Sequence, residues 1–308
     1  MKTLAYVSRK GGMGKTTCAY NIALGLPFVI QSDDKPGTKR SRILIVDLDR
    51  QKDMTFRFDK DYIEDSPIAE TKKKSLYDFL TCPATEKELL SCVHFFRTGA
   101  VVYGSGRTAE IRELFKDNPR ILEQRLAVIA SYFDVCILDL PPAQDEIAFG
   151  ALVAADFAFP CSNLSTQGTL GVRDAMVDLL AVKKLTGRSV YVPFVLAYST
   201  VSKIKVLGKR FEEEIRRYTG RPMFIVRFDD DFVDSCVDQG KMIYSFPLKT
   251  VTRHFAELCV VITLYLLRLP LRRPAYAPFG SFYEPYEKDL KKQLQEREAN
   301  SLKKGEQK

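Results

Sequence analysis

Three short segments of this chain hold residues whose types and spacing suit chemistry on a phosphate. The first is Lys10-Gly11-Gly12-Met13-Gly14-Lys15-Thr16-Thr17. Glycines let a loop curl until successive backbone N–H groups point inward at phosphate oxygens. A lysine at position 15 can reach the β- and γ-phosphates of a nucleotide, and the hydroxyl of Thr16 can ligate magnesium. The plain form of such a loop opens on a glycine, which falls here on Arg9, and Lys10 adds a further cation at the entrance. The second segment, Ile45-Val46-Asp47-Leu48-Asp49-Arg50-Gln51, closes an apolar run with two carboxylates. The third, Val135-Cys136-Ile137-Leu138-Asp139-Leu140-Pro141-Pro142, closes another with one. Asp139 suits the task of holding magnesium through water. Either carboxylate segment alone reads equally well as a helix cap or a surface feature. Together, behind a phosphate loop, they read as a site.

These segments need strands to carry them. Leu4–Val7 reads as a short buried strand leading into the glycine turn, and a helix is expected from Lys15 to about Leu26, ended by Pro27. Continuous apolar runs at 43–46 and 135–138 have the look of strands buried on both faces of a parallel sheet. Further strands are expected at 157–159, 190–196 and 224–226, with helical patterns between. The polar stretch 31–41 reads as a loop, and the charged region 56–120 as helices and loops without clear strands. Strands alternating with helices predict an α/β fold, a mostly parallel, doubly wound sheet flanked by helices. One domain is expected over 1–268, followed by a Pro/Gly linker and a charged helical or disordered tail over 269–308.

Composition narrows the function classes. The 308 residues are 45% hydrophobic and 28% charged, ordinary for a globular protein. The run Leu258 to Leu267 is too short to span a bilayer, and no signal-peptide core opens the chain, so a cytoplasmic protein is expected. Seven scattered cysteines without a Cys-x-x-Cys pair, and two histidines, argue against a zinc or iron–sulfur site. The formal net charge of +8 points to an acidic partner. It concentrates in 183–221, where ten Lys/Arg face three Glu.

The three segments resemble those of the ParA/MinD family of deviant Walker A P-loop ATPases, whose members carry K-G-G-x-G-K-T-T, D-x-D-P-Q and D-x-P-P. The first matches fully; in the second, Arg50 replaces the proline and Lys52 a following glycine; the third matches at Asp139, Pro141 and Pro142. The resemblance runs from residue 1 to about 265, weakening over 31–42 and 56–120, and is closest to ParA-type partition ATPases. It implies ATP and Mg²⁺ as cofactors, with Lys10 through Thr17 binding ATP. It further implies that Lys10 crosses a nucleotide-sandwich homodimer to the partner's phosphates and that Asp49 orients the attacking water. Thr16 and Asp139 would serve the metal, Asp139 also sensing the γ-phosphate. Ser199, Phe228 and Asp229 are the adenine-pocket candidates.

A ParA-type protein binds DNA nonspecifically in its ATP state and works with a centromere-binding ParB-like protein. Lys203, Lys205, Lys209, Arg210, Arg216 and Arg217 are the expected DNA contacts, on a helix with basic ends, and would make the ATP-bound protein nucleoid-associated. A merely solvated charged helix is the alternative for that segment. MinD-like or ParA-like positioning of a protein or membrane-associated cargo is the alternative function. The leucines at 290, 294 and 302 form too thin a stripe for a membrane anchor, so no membrane is expected.

Overall fold

The computed structural model describes residues 1–30, 43–64, 72–96, 99–142, 144–199, 201–227, 230–239, 243–245 and 249–268. The expected 31–41 loop, the linker and tail over 269–308, and Phe228 and Asp229 lie outside them. In chain order the elements are β1 (Lys2–Val7), α1 (Lys15–Val29), β2 (Ile43–Asp47), α2 (Asp53–Phe58), α3 (Leu76–Thr81) and α4 (Glu86–Leu90). They continue with β3 (His94–Phe96), β4 (Gly99–Val102), α5 (Thr108–Asp117), α6 (Ile121–Val128), β5 (Val135–Asp139) and α7 (Glu146–Ala154). The last are β6 (Phe157–Ser162), α8 (Thr166–Thr186), β7 (Val195–Ser199), α9 (Val201–Thr219), β8 (Met223–Arg227), α10 (Asp230–Asp238) and α11 (Thr250–Val261).

The strands form one eight-stranded sheet in the order β3-β4-β2-β5-β1-β6-β7-β8, parallel except where β3 pairs antiparallel with β4. Successive side chains of a strand face opposite sides, and the core divides accordingly. Leu4, Tyr6, Ile43, Ile45, Val135 and Ile137 pack with α1 and α11 on one face. Ala5, Val7, Leu44, Val46, Cys136 and Leu138 pack with α3 and α5 to α8 on the other. This is the doubly wound α/β sheet expected, and every residue of β2, β4 and β5 is buried.

Three local expectations fail. The region 56–120 contains two strands, β3 and β4, which extend the sheet at its edge. Their brevity and the glycine at 99 hide them: a Cβ there would come within 2.8 Å of the Ile43 carbonyl oxygen, so close strand approach selects glycine. Pro27 does not end α1 but sits inside its last turns. A proline forfeits one backbone donor, yet the helix continues to Val29, and Val29 and Ile30 are buried in the core. The strand expected over 190–196 starts only at Val195 and runs to Ser199; before it, Tyr191 makes an isolated bridge to Phe157.

Candidate nucleotide site

Parallel strands present their ligands at their carboxyl ends, where the winding direction of the sheet switches. The switch lies at β1, whose neighbours are β5 and β6. The glycine loop leaves β1, Asp139 ends β5, and Asp47 ends β2 one strand further on. The register is level: Tyr6 pairs with Asp139, and Asp139 with Asp47. Segments far apart in sequence thus meet at one edge.

Gly12 and Gly14 have φ of 69° and 78°, the left-handed region that a side chain disfavours. At Gly14 space forbids one as well, since a Cβ would sit 2.7 Å from Cδ1 of Tyr198 at the tip of β7. Gly14 caps α1 without a side-chain hydrogen bond. The first N–H groups of a helix lack intrahelical partners and, with the helix dipole, favour an anion. Lys15 is buried, with Nζ 3.4 Å from the Lys10 carbonyl oxygen. Burial lowers its pKa, while Asp139 and Asp49 are among the groups that act in the opposite sense. Lys10 itself is exposed.

Asp47 is wholly buried and fully engaged. Its Oδ2 accepts from the Thr55 backbone N–H at 2.8 Å and from the Thr55 hydroxyl at 2.6 Å, and its Oδ1 from the Asp49 N–H at 3.1 Å. Thr55 Oγ1 accepts in turn from the Gly104 N–H after β4. Burial raises the Asp47 pKa to about 6 against these hydrogen bonds. Asp47 is therefore the brace of its loop, which leaves Asp49 partly exposed, its Oδ1 accepting from the Gln51 N–H.

Asp139 is the opposite case. It too is wholly buried, but neither carboxylate oxygen has a hydrogen-bond partner. Burial, then the neighbouring Asp47, push its pKa to about 8, while Thr16 and Lys15 act to lower it. Two orphaned oxygens of a buried carboxylate beside a threonine hydroxyl are a donor set suited to a hard cation. Thr16, Lys15, Asp49 and Asp139 thus interact around one point, with Lys10 at the rim.

Ser199 ends β7, buried, its Oγ without a partner. Lys205, Lys209, Arg210, Arg216 and Arg217 are all exposed along α9, away from this cluster in the chain, while Leu207, Phe211 and Ile215 turn inward. The side chain of Lys203 lies outside the described residues. Sequence reasoning missed Thr55, Gly104 and Tyr198, which brace the site from other elements and carry no local signal. It also missed an ion pair at the loop entrance: Arg9 Nε donates to Asp178 Oδ2 on α8 at 2.9 Å, and Nη2 to Oδ1 at 2.5 Å.

A family model described as an AAA domain matches residues 1–190. The virulence plasmid ParA family protein pGP5-D of Chlamydia psittaci is 30% identical over 176 residues, covering 56% of this chain and 61% of that protein. The maintenance of carboxysome distribution protein A of Gloeothece citriformis is 27% identical, over 60% of this chain and 66% of that protein. The chain thus spans less than two thirds of the length of these curated relatives. Apo McdA of Cyanothece superposes with a TM-score of 0.68 at 19% identity, covering 84% of this chain and 99% of that one, a likeness of fold. ATP and magnesium binding are typical of such proteins, and the sheet conforms. The chain belongs to the matched AAA-domain family and, within it, to the ParA/MinD P-loop ATPases with the deviant Walker A loop.

Proposed function

We propose that this protein is an ATP-driven dimerisation switch that positions a cellular cargo through a partner protein. The observation that carries it is the pairing of a buried Lys15 with an exposed Lys10 at one phosphate loop. Lys15 serves the phosphates of its own protomer, and Lys10 is free to serve those of a second copy. Residues 10–17 hold the triphosphate, and Asp49 orients the attacking water. Thr16 and Asp139 would hold magnesium, which when bound neutralises phosphate charge. Positioning and charge stabilisation are most of what phosphoryl transfer asks of a protein. A cation donated in trans makes hydrolysis conditional on pairing, so the cycle works as a timer. Ser199 is the candidate contact to the base.

A relative named for carboxysome distribution matches in sequence, so we read the cargo first as a protein assembly. A second reading, segregation of plasmid or chromosomal DNA with a ParB-like partner, is favoured by the exposed cations of α9. On either reading, a nonspecific hold on DNA would place the ATP-bound form at the nucleoid. Among the described residues no helix is long and apolar enough to cross a membrane.

Sedimentation velocity with and without Mg·ATP tests the switch: dimers are expected with ATP in the wild type and not in Lys10→Ala. Monomers under every condition would overturn it. Anisotropy with random duplex DNA tests the second reading. ATP-dependent binding should weaken with salt by a log–log slope of about −0.9 per phosphate contacted. Arg216→Glu with Arg217→Glu should flatten that slope; binding to anionic vesicles and not to DNA would favour a membrane-associated cargo.

A further inference from the structure

We infer that Arg9 and Asp178 form a positioning pair that aims Lys10 out of its own protomer. The inference rests on the proposed role of Lys10 in a second copy's site. Three observations place the pair. Arg9 occupies the position where a plain phosphate loop has a glycine, and its guanidinium grips Asp178 with two hydrogen bonds across 169 residues of chain. Both side chains are largely covered, 21% and 14% exposed, so the fork is sheltered from solvent. A two-bond fork of this kind fixes direction as well as distance.

The second observation is the seat beside it. A Cβ at Gly171 would lie 3.2 Å from Ser8 Oγ and 3.6 Å from Lys10 Cγ, so the stem of Lys10 crosses α8 where that helix has no side chain. Gly171 and Asp178 are seven residues apart, two turns along one face of α8. Residues 8 to 10 therefore run along that face, tied at Arg9 and seated at Gly171. The Lys10 backbone is held as well, its N–H donating to Ser8 Oγ and its carbonyl accepting from Lys15.

The third is what the pair borders. Arg9 and Asp178 share the wall of a cavity of about 80 Å³ with Pro141, Gln144 and Asp145, in the loop that follows Asp139. The pair thus joins the loop entrance, α8 and the segment after the metal-site carboxylate. An ion pair serving only to fasten β1 to α8 would affect stability alone. A positioning pair affects what Lys10 does.

The experiment compares Arg9→Gln, Asp178→Asn, their double variant and Lys10→Ala in the full chain. Calorimetry gives the ATP Kd, sedimentation the dimer affinity, steady-state hydrolysis kcat, and a thermal melt the stability. Each single variant is expected to lower kcat and dimer affinity about tenfold with the ATP Kd changed less than about twofold. The double variant should be no worse than either single, because residues acting as one unit are not additive. Additive losses, or a lowered Tm with unchanged kcat and dimer affinity, would overturn the inference. Defects in Lys10→Ala but none in Asp178→Asn overturn this inference and leave the dimer reading standing. A normal Lys10→Ala overturns both.

Discussion

Asp139→Asn should make the nucleotide-free protein more stable while disabling its site. The carboxylate is wholly buried with no partner on either oxygen, and its pKa stands at about 8 against the ordinary 3.8. At pH 7, below that pKa, the folded protein takes up a proton there that the unfolded chain does not bind, at a cost of about 4 kcal/mol at 1.36 kcal/mol per pKa unit between 3.8 and the ambient pH. Asparagine needs no such proton but leaves a buried amide to satisfy, a loss of about 2 kcal/mol. The net gain of about 2 kcal/mol corresponds to about 4–8 °C in Tm for a protein of this size. The sign with pH follows from the raised value. Below about pH 3.8 the acid is neutral folded and unfolded and the cost is absent; it grows as pH rises and is complete above about pH 8. Thermal melts in EDTA without nucleotide, at pH 5.5 and pH 8, should show the variant ahead, with the wider gap at pH 8. Adding Mg·ATP should raise the wild-type Tm and leave the variant nearly unmoved. A variant that melts at or below wild type at pH 8, or a gap no smaller at pH 5.5, would refute the reasoning.

The remaining predictions concern the same edge of the sheet. Lys15→Ala removes a charged contact to phosphate and should weaken ATP binding about 10–100-fold by calorimetry; unchanged affinity would remove the loop from nucleotide binding. Asp49→Ala should keep its ATP affinity, lose turnover by about 100-fold and accumulate the ATP dimer on a sizing column. Gly14→Ala adds a methyl at φ 78° and 2.7 Å from the Tyr198 ring, which should cost about 2–4 kcal/mol in a denaturant melt. In a double-mutant cycle with Tyr198→Ala, the coupling energy should return the overpacking share and not the backbone share.

The site was legible where its chemistry is local. Residues 10–17 announce themselves because a phosphate nest needs consecutive positions, and β2 and β5 because strands buried on both faces must be apolar throughout. What stayed hidden depends on distant chain. Asp47 and Asp49 look alike in sequence, and only Thr55 and Gly104 reveal that one is a brace and the other is presented outward. Tyr198 explains why position 14 tolerates no side chain, yet it lies 184 residues on. In the same way β3 and β4 are too short for their periodicity to emerge, and Pro27 misleads because burial of Val29 and Ile30 outweighs one missing donor.

The packing of α11 along α1 bears on where this protein can be cut. The family match ends at residue 190, but the helix that begins at Lys15 is propped from behind by chain well beyond it. Tyr244 donates its hydroxyl to the Asn21 carbonyl, Cys259 contacts that of Ile22, and Phe255, Leu258 and Ile262 share the core with Ile22 and Leu26. A fragment stopping at 190 would bare that apolar flank and lose β7, with Tyr198, from the sheet. Such a fragment should be insoluble or fail to retain nucleotide, so the smallest working unit reaches at least to α11.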